Sequence, residues 1–446
     1  MRDTEFLLLA FEHIGLLVAL MVAGAVILLL ATYRRGFGLL DPLHFFYAFT
    51  FGTSYGVVAF LAVMGRLSAA ALTLVIGFGS LWLIGLWIGQ SALVKPMFAR
   101  RTFDAREASL RSSSVLIRTL ILSGVLLSVY LAIVGSPFAM VSRFQANRGI
   151  GFLPRLLDPL RIVASGLLFA AVRRRSWLWR ILALAYIVLL AFASGSKFAF
   201  LECVYGAWMT TQLMQPALAK RVPLTVRARR TISALLIAVA ATVFALTLLK
   251  YSTEARQARE YGSPTYVKGV SLPVELLALR IVGNGDMYYM GLPDNTFFRV
   301  VKIPNPAAQM FGMLVGNTVM EELFDYPLAN SAVGRQIWLH WYPDDPVMRG
   351  PTSHFDLVAY AYFGAALGAV FCFVLGFGIG WLRRSIRRLR PLPAWKAALL
   401  AALYLRALVS LLSPAISLAH LVDLALVAWI LTVRLDAPRK TVVLLQ

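Results

Sequence analysis

Charge is scarce in this chain. Of 446 residues, 14% are Asp, Glu, Lys or Arg and 59% are hydrophobic, against about 25% and roughly 45–50% in a water-soluble domain, so water is not its main solvent. Cysteine is scarcer still. Cys203 and Cys372 both fall in apolar runs, which excludes a disulfide framework and a cysteine-rich metal site. There is no Walker loop, nucleophile elbow, HExxH or strand–helix glycine fingerprint, so neither a cofactor nor ATP-driven transport by this chain alone is expected. Repeats at solenoid periods, low-complexity tracts and interdomain linkers are also missing, and one integral membrane domain over 1–446 is the economical reading.

What the chain has is apolar runs of about 18 to 25 residues, each long enough to cross a hydrocarbon core as a helix that satisfies its own backbone. Spans are expected near 14–33, 43–64, 69–91, 115–136, 155–172, 178–195, 198–215, 231–250, 357–382, 396–413 and 416–434. The fold class is therefore all-α: a polytopic transmembrane helical bundle of about eleven spans. The run 155–172 is the weakest, because only eleven residues separate Arg161 from Arg173 and Pro154 and Pro159 precede them, so a tilted or re-entrant segment is the alternative to a full span there. The first run follows Asp3, Glu5 and Glu12 and ends at Arg34-Arg35. A signal peptide would begin basic and end at small residues, so this run is expected to remain as a span.

The net charge of +22 is gathered into short blocks between the apolar runs, the pattern of topology signals rather than of a nucleic-acid surface. Twenty-five of the 43 Lys and Arg fall in Arg34–Asp41, Lys95–Ser114, Arg173–Arg180, Pro216–Arg230, Arg383–Lys396 and the tail from Arg434. The positive-inside rule then puts these segments and the C-terminus in the cytoplasm and the N-terminus outside.

The segment 251–356 differs in kind. It holds 11 of the 21 acidic residues, nine prolines and two of the five histidines, and is expected as one large, partly helical periplasmic loop inserted between spans eight and nine. Lys250–Glu260 reads as a helical extension of span eight, Pro273–Val282 as a short helix opened near Ser271 and closed by Gly283, and Phe311–Leu323 as a third, partly buried helix.

Several groups in this frame can carry chemistry. Arg406 and Asp423 each lie seven residues from a turn near Ser413–Ile416, so a hairpin brings them to equal depth as a structural intramembrane ion pair; a proton or ion pathway through Arg406, His420 and Asp423 is the alternative. Arg143, Arg148, Arg155 and Arg161 crowd an outer loop that topology normally keeps poor in cations, which suggests an anionic ligand there. Lys197, at the outer turn Ser194–Lys197, can aim an ammonium at a lipid headgroup or snorkel. The long loop adds Arg256, Arg259, Arg280, Arg299, Lys302, Arg335 and Arg349, whose guanidinium forks suit phosphate. Glu254, Glu260, Asp286, His340, His354 and Asp356 offer candidate general bases. Trp338, Trp341 and Tyr342 suit either sugar stacking or an interfacial belt. Gly364, Gly368, Gly376 and Gly380 fall at multiples of four and form a smooth ridge for helix packing.

In its whole span-and-loop layout, and in Ser194–Lys197, the stretch Arg280-Ile281-Val282-Gly283-Asn284-Gly285-Asp286-Met287-Tyr288-Tyr289 and Gly350-Pro351-Thr352 leading into Tyr360–Gly368, the chain resembles the bacterial O-antigen and oligosaccharide repeat-unit polymerases of the Wzy type. The resemblance implies a glycosyltransferase of lipopolysaccharide biosynthesis in the bacterial inner membrane. Its donor and acceptor would be polyprenyl (undecaprenyl) diphosphate-linked glycans at the periplasmic face, with lipid diphosphate as leaving group, and its other partners membrane lipids and a chain-length regulator protein. No metal and no nucleic acid would be involved. On this reading Arg280, Arg349 and Lys197 bind the diphosphate, with Asn284, Arg256 and Arg259 beside them, and His354 or Asp286 activates the acceptor hydroxyl. Arg349 and His354 are expected near headgroup depth. An O-antigen ligase or another lipid-linked glycosyltransferase is the nearest alternative. A membrane transporter using Arg406 and Asp423 is a third, and would need a midplane cavity and commonly internal repeats.

Overall fold

A backbone in hydrocarbon has no water to bond, and helices meet that demand within one segment. The computed structural model describes residues 1–33, 37–38, 40–97, 105–135, 147, 149–173, 175–194, 197–215, 267–345 and 350–433, and every regular element among them is helical. In chain order these are α1 (Asp3–Glu12), α2 (Ile14–Tyr33), a π-helical stretch His44–Phe49 running into α3 (Thr50–Val63), α4 (Ala69–Gly89), α5 (Ala105–Val134), α6 (Phe152–Val172), α7 (Trp177–Ala193), α8 (Lys197–Met214), α9 (Leu272–Val282), α10 (Asp286–Gly291), α11 (Thr296–Val300), α12 (Pro306–Val315), α13 (Asn317–Phe324), α14 (Val333–Trp341), α15 (Phe355–Arg388), α16 (Ala394–Leu408) and α17 (Pro414–Thr432).

A helix stands at each expected span that falls among the described residues; the span 231–250 and the helix 250–260 lie outside them. Seven are long and apolar enough, by length and composition, to cross a membrane: α2, His44–Val63, α4, α5, α15, Ala394–Leu411 and α17. The remaining three depart from that type for visible reasons. Helix α6 carries Arg155, Asp158 and Arg161, α8 carries Lys197 and Glu202, and α7 has 17 residues.

The helices gather into two units. The first takes in Met1–Met97, Ala217–Arg384 and Leu408–Ala415. Its helices approach closely where side chains are missing: a side chain on Gly376 or Gly380 would strike the carbonyls of Trp82 and Leu86, so the expected glycine ridge does pack, against α4. Gly364 behaves differently. Its backbone (φ 70°, ψ −169°) breaks α15, a conformation open to glycine and strained for other residues. A Cβ on Gly368 would stand 2.8 Å from the carbonyl oxygen of Ala359, whereas nine residues of straight helix span about 13 Å. Asp356 is likewise within electrostatic reach of Cys372, and the Phe355 ring lies 5.9 Å from that of Trp82. Residues 355–363 therefore fold back along 365–388 as a re-entrant helix. Where one helix Phe311–Leu323 was expected, Gly316 (φ 103°) separates α12 from α13.

At the far end of this span, Arg383 donates from Nε and Nη2 to Asp41 Oδ2 (2.9 and 2.7 Å) and from Nη1 to the Thr32 carbonyl (3.0 Å). Both side chains are fully buried. The carboxylate also accepts from the backbone N–H groups of Phe37 and Leu43 (2.8 and 3.0 Å), which supplies the extra bonds a buried pair needs.

The second unit comprises Phe98–Pro216, Ser385–Ala407 and Ile416–Gln446. Helix α6 packs between α5 and α8, and Leu127, Tyr130, Leu153, Leu157, Ala164 and Leu190 form its core.

The reversal at Gly364 predicts an asymmetry between two glycines of one helix. Gly364→Ala should lower stability by about 1–3 kcal/mol, the range for a residue forced into a rare backbone region. Gly378→Ala, where an added Cβ meets nothing within 4 Å, should be neutral or stabilising by up to about 1 kcal/mol. Thermal unfolding of the two purified variants checks this; equal losses would mean that α15 runs straight.

Candidate functional site

In the first unit the long loop descends into the helices. The Gly283–Gly285 turn is held on α3: Ser54 Oγ donates to the Asn284 carbonyl (2.7 Å), and Asn284 Nδ2 donates to Thr53 Oγ1 (3.3 Å). Thr53 and Ser54 are the tenth and eleventh of the 20 residues His44–Val63, so the turn stands level with the middle of that span. A backbone turn at this level is tolerated because protein, not lipid, surrounds it.

The re-entrant helix meets the turn there. The Asp356 carboxylate, fully buried, accepts from Tyr288 OH (2.7 Å) and Tyr55 OH (3.3 Å) on Oδ2 and from the Leu357 N–H (2.8 Å) on Oδ1. His354, also fully buried, lies between the rings of Phe51 (4.7 Å) and Tyr288 (4.9 Å). Among the described residues, neither ring nitrogen has a hydrogen-bond partner. Asp286 is partly exposed; its Oδ1 accepts from the backbone N–H groups of Met287 (2.7 Å) and Thr352 (3.2 Å).

The two expected bases are thus tied to one locus, since Thr352 lies two residues before His354. The expectation that His354 sits near headgroup depth is overturned: it packs on Phe51, eighth of the 20 residues of its span, because the re-entrant helix begins deep and climbs to Gly364. The Asn284 amide is turned to α3, where it anchors the turn. Arg280 lies in the last turn of α9, just before Gly283, while its side chain, that of Lys197, and Arg256, Arg259 and Arg349 lie outside the described residues. His340 is exposed, and partial burial and Arg299 hold it below the usual histidine value. Trp338 donates to Asp345 (2.8 Å) and Trp341 to the Met290 carbonyl (3.0 Å), which gives both a packing role. Tyr55 escaped sequence reasoning, and Tyr288 was marked only within its stretch and not as a partner of Asp356, because a tyrosine carries no mark of the acid it faces.

In the second unit the expected Arg406–Asp423 pair is not formed. Asp423 pairs instead with Arg155, through Nε to Oδ2 (2.9 Å) and Nη2 to Oδ1 (3.0 Å). Arg406 lies 2.8 Å from Glu202 Oε1 and donates from Nη1 to His420 Nδ1 (3.2 Å). A guanidinium only donates, so His420 Nδ1 accepts and its proton sits on Nε2, 4.0 Å from Asp158. Arg161 joins Asp158 (2.8 Å) to Glu202. Three arginines therefore face three carboxylates, so of the four arginines that suggested an anionic ligand, Arg155 and Arg161 are paired with the chain's own acids, while Arg143 and Arg148 lie outside the described residues. A hairpin argument sets depth but not azimuth, and helix α6 supplies the nearer charge.

Exchange of charges tests this assignment. Arg155→Asp with Asp423→Arg should recover much of the folding lost by either change alone, whereas Arg406→Asp with Asp423→Arg should not. Monodispersity in mild detergent reads the outcome, and recovery by the second exchange alone would restore the hairpin pair.

No family model, no curated protein and no solved structure matches the chain, so its role is argued from these sites.

Proposed function

We propose that the chain is a membrane glycosyltransferase that polymerises lipid-diphosphate-linked glycan repeat units at the non-cytoplasmic face of a bacterial inner membrane. The observation that carries this reading is the convergence of Asp286, His354 and the tyrosine-held Asp356 where the Gly-Asn-Gly turn meets the re-entrant helix. A group transfer to a hydroxyl needs an acceptor for its proton, placed out of bulk water. Asp286 is the accessible one, and His354 lies two residues beyond Thr352, whose N–H the Asp286 carboxylate accepts.

In the proposed step the acceptor hydroxyl oxygen bonds to the anomeric carbon of the donor glycan, the bond from that carbon to the diphosphate breaks, and the hydroxyl proton passes to the base. The departing diphosphate gathers negative charge. Arg280 and Arg349, aided by Lys197, are the groups proposed to neutralise it, with Arg256 and Arg259 in the same loop.

Glycan length on gels, at matched membrane abundance, tests the reading. Replacing Arg280 or Arg349 by Ala should shorten the product with losses of order 10²-fold or more in turnover, the scale for one electrostatic donor, and Lys should not rescue because it lacks the bidentate fork. Asp286→Asn should have a comparable effect. Normal long chains from both Arg→Ala variants would overturn the assignment and turn attention to Arg256, Arg259 and Glu260. Normal chain lengths with loss of their attachment to lipid would mark a ligase instead.

A further inference from the structure

Helices α12 and α13 present an apolar face that the described residues of the long loop do not cover. On α12, Ala307, Phe311 and Val315 recur every four residues and are all exposed, Phe311 at 55% and Val315 at 53%; on α13, Leu323 and Phe324 are exposed at 75% and 64%. Four-residue spacing puts the first three on one face of a helix. In α13 the polar residues Asn317, Thr318, Glu321 and Glu322 fall on the side opposite Val319, Met320, Leu323 and Phe324, so that helix is divided lengthwise. Residues 306–324 contain no Lys or Arg. A single exposed apolar residue needs no explanation, but a set of this size on neighbouring helices marks an interaction surface.

What covers it follows from where the hairpin is fixed. Gln309 reaches Tyr362, and Met310 packs on the cluster that contains Tyr362 and Leu357. Tyr362 lies two residues before Gly364, at the apex of the re-entrant fold and therefore at the boundary where the span 365–388 begins. The hairpin is held there by Gln309 donating to the Leu328 carbonyl (3.0 Å) and accepting from Tyr326 OH (3.1 Å). Elsewhere in this unit, most side chains as exposed and as apolar as Phe311 stand on spans, among them Val22, Ile27, Leu30, Ile76, Leu367 and Val370, while Leu93 and Ile281 stand off them. A helix lying in the plane of the interface has this division, with an apolar face in the acyl region and a polar face toward water.

We propose that α12 and α13 form an interfacial hairpin whose Phe311–Val315–Leu323–Phe324 face inserts into the acyl region of the lipid leaflet beside the apex of the re-entrant helix. Glu321 and Glu322 then lie on its aqueous side. This surface is independent of the reaction proposed above and would stand if that reaction were wrong.

The test uses the full chain in lipid nanodiscs, with a nitroxide attached to Phe311→Cys, Val315→Cys or Leu323→Cys in turn. The native Cys203 and Cys372 are buried, and the signal of the labelled wild-type protein is subtracted. Leu367→Cys on the span serves as the lipid reference and Glu322→Cys as the water reference. Collision with oxygen should exceed collision with a water-soluble nickel chelate at all three positions, by a ratio close to that at Leu367→Cys, while Glu322→Cys shows the reverse. A nickel-dominated ratio at Phe311→Cys and Leu323→Cys would place the face in water and overturn the proposal. Low collision with both relaxers would mean that a protein surface covers it, and would overturn it equally.

Discussion

Everything in the first unit hangs on one backbone reversal. A helix entering the bundle from the long loop cannot present a carboxylate to the middle of the spans unless it begins deep, and Gly364 provides that geometry by turning residues 355–363 back along the helix that follows. The reversal carries Asp356 to Tyr55 on α3 and to Tyr288 on the neighbouring loop segment. It also sets its own apex as the platform for α12 and α13. Irregular backbone survives at such depth only where protein surrounds it, and the Gly-Asn-Gly turn meets that condition through Thr53 and Ser54.

The two units handle buried charge by the same rule with different results. Asp41 and Arg383 form a closed pair with backbone groups filling the remaining valences, which suits a fixed joint at one end of a span. In the second unit Arg155, Arg161 and Arg406 meet Asp423, Asp158 and Glu202 in a balanced network with a neutral His420. A balanced network is costly to break at any member, because the partner left behind stays buried and unpaired.

Much of this was legible in the sequence, and the limits have physical causes. Apolar length marks a helix regardless of its neighbours, so α2, α4 and α5 stand where the runs predict them. Local stop signals also held: Ser271 and Gly283 bound α9. Gly364 and Gly368 look identical to Gly376 and Gly380 in a four-residue ridge, yet the first breaks the helix and the last two pack on α4, a distinction that arises only from what each meets in space. Gly316 split an expected helix for the same reason. Charge pairing failed in the same way, since Arg406 and Asp423 were matched by depth while their partners came from α6 and α8. The locus of Asp286, His354 and Asp356 was readable as a set of candidate bases; that they converge in mid-span was not, because nothing local signals a loop that descends.

The descent of the loop is therefore the claim on which the site depends. A pair of cysteines at Thr53→Cys and Asn284→Cys replaces side chains that touch at 3.3 Å, and mild oxidation of membranes followed by mass spectrometry of the linked peptides reports whether they meet. The re-entrant arrangement predicts a disulfide between positions 53 and 284 in high yield, and none between 284 and a cysteine placed at Arg66 beyond the end of α3. Failure of the first link with formation of the second would put the Gly-Asn-Gly turn at the surface and contradict the account.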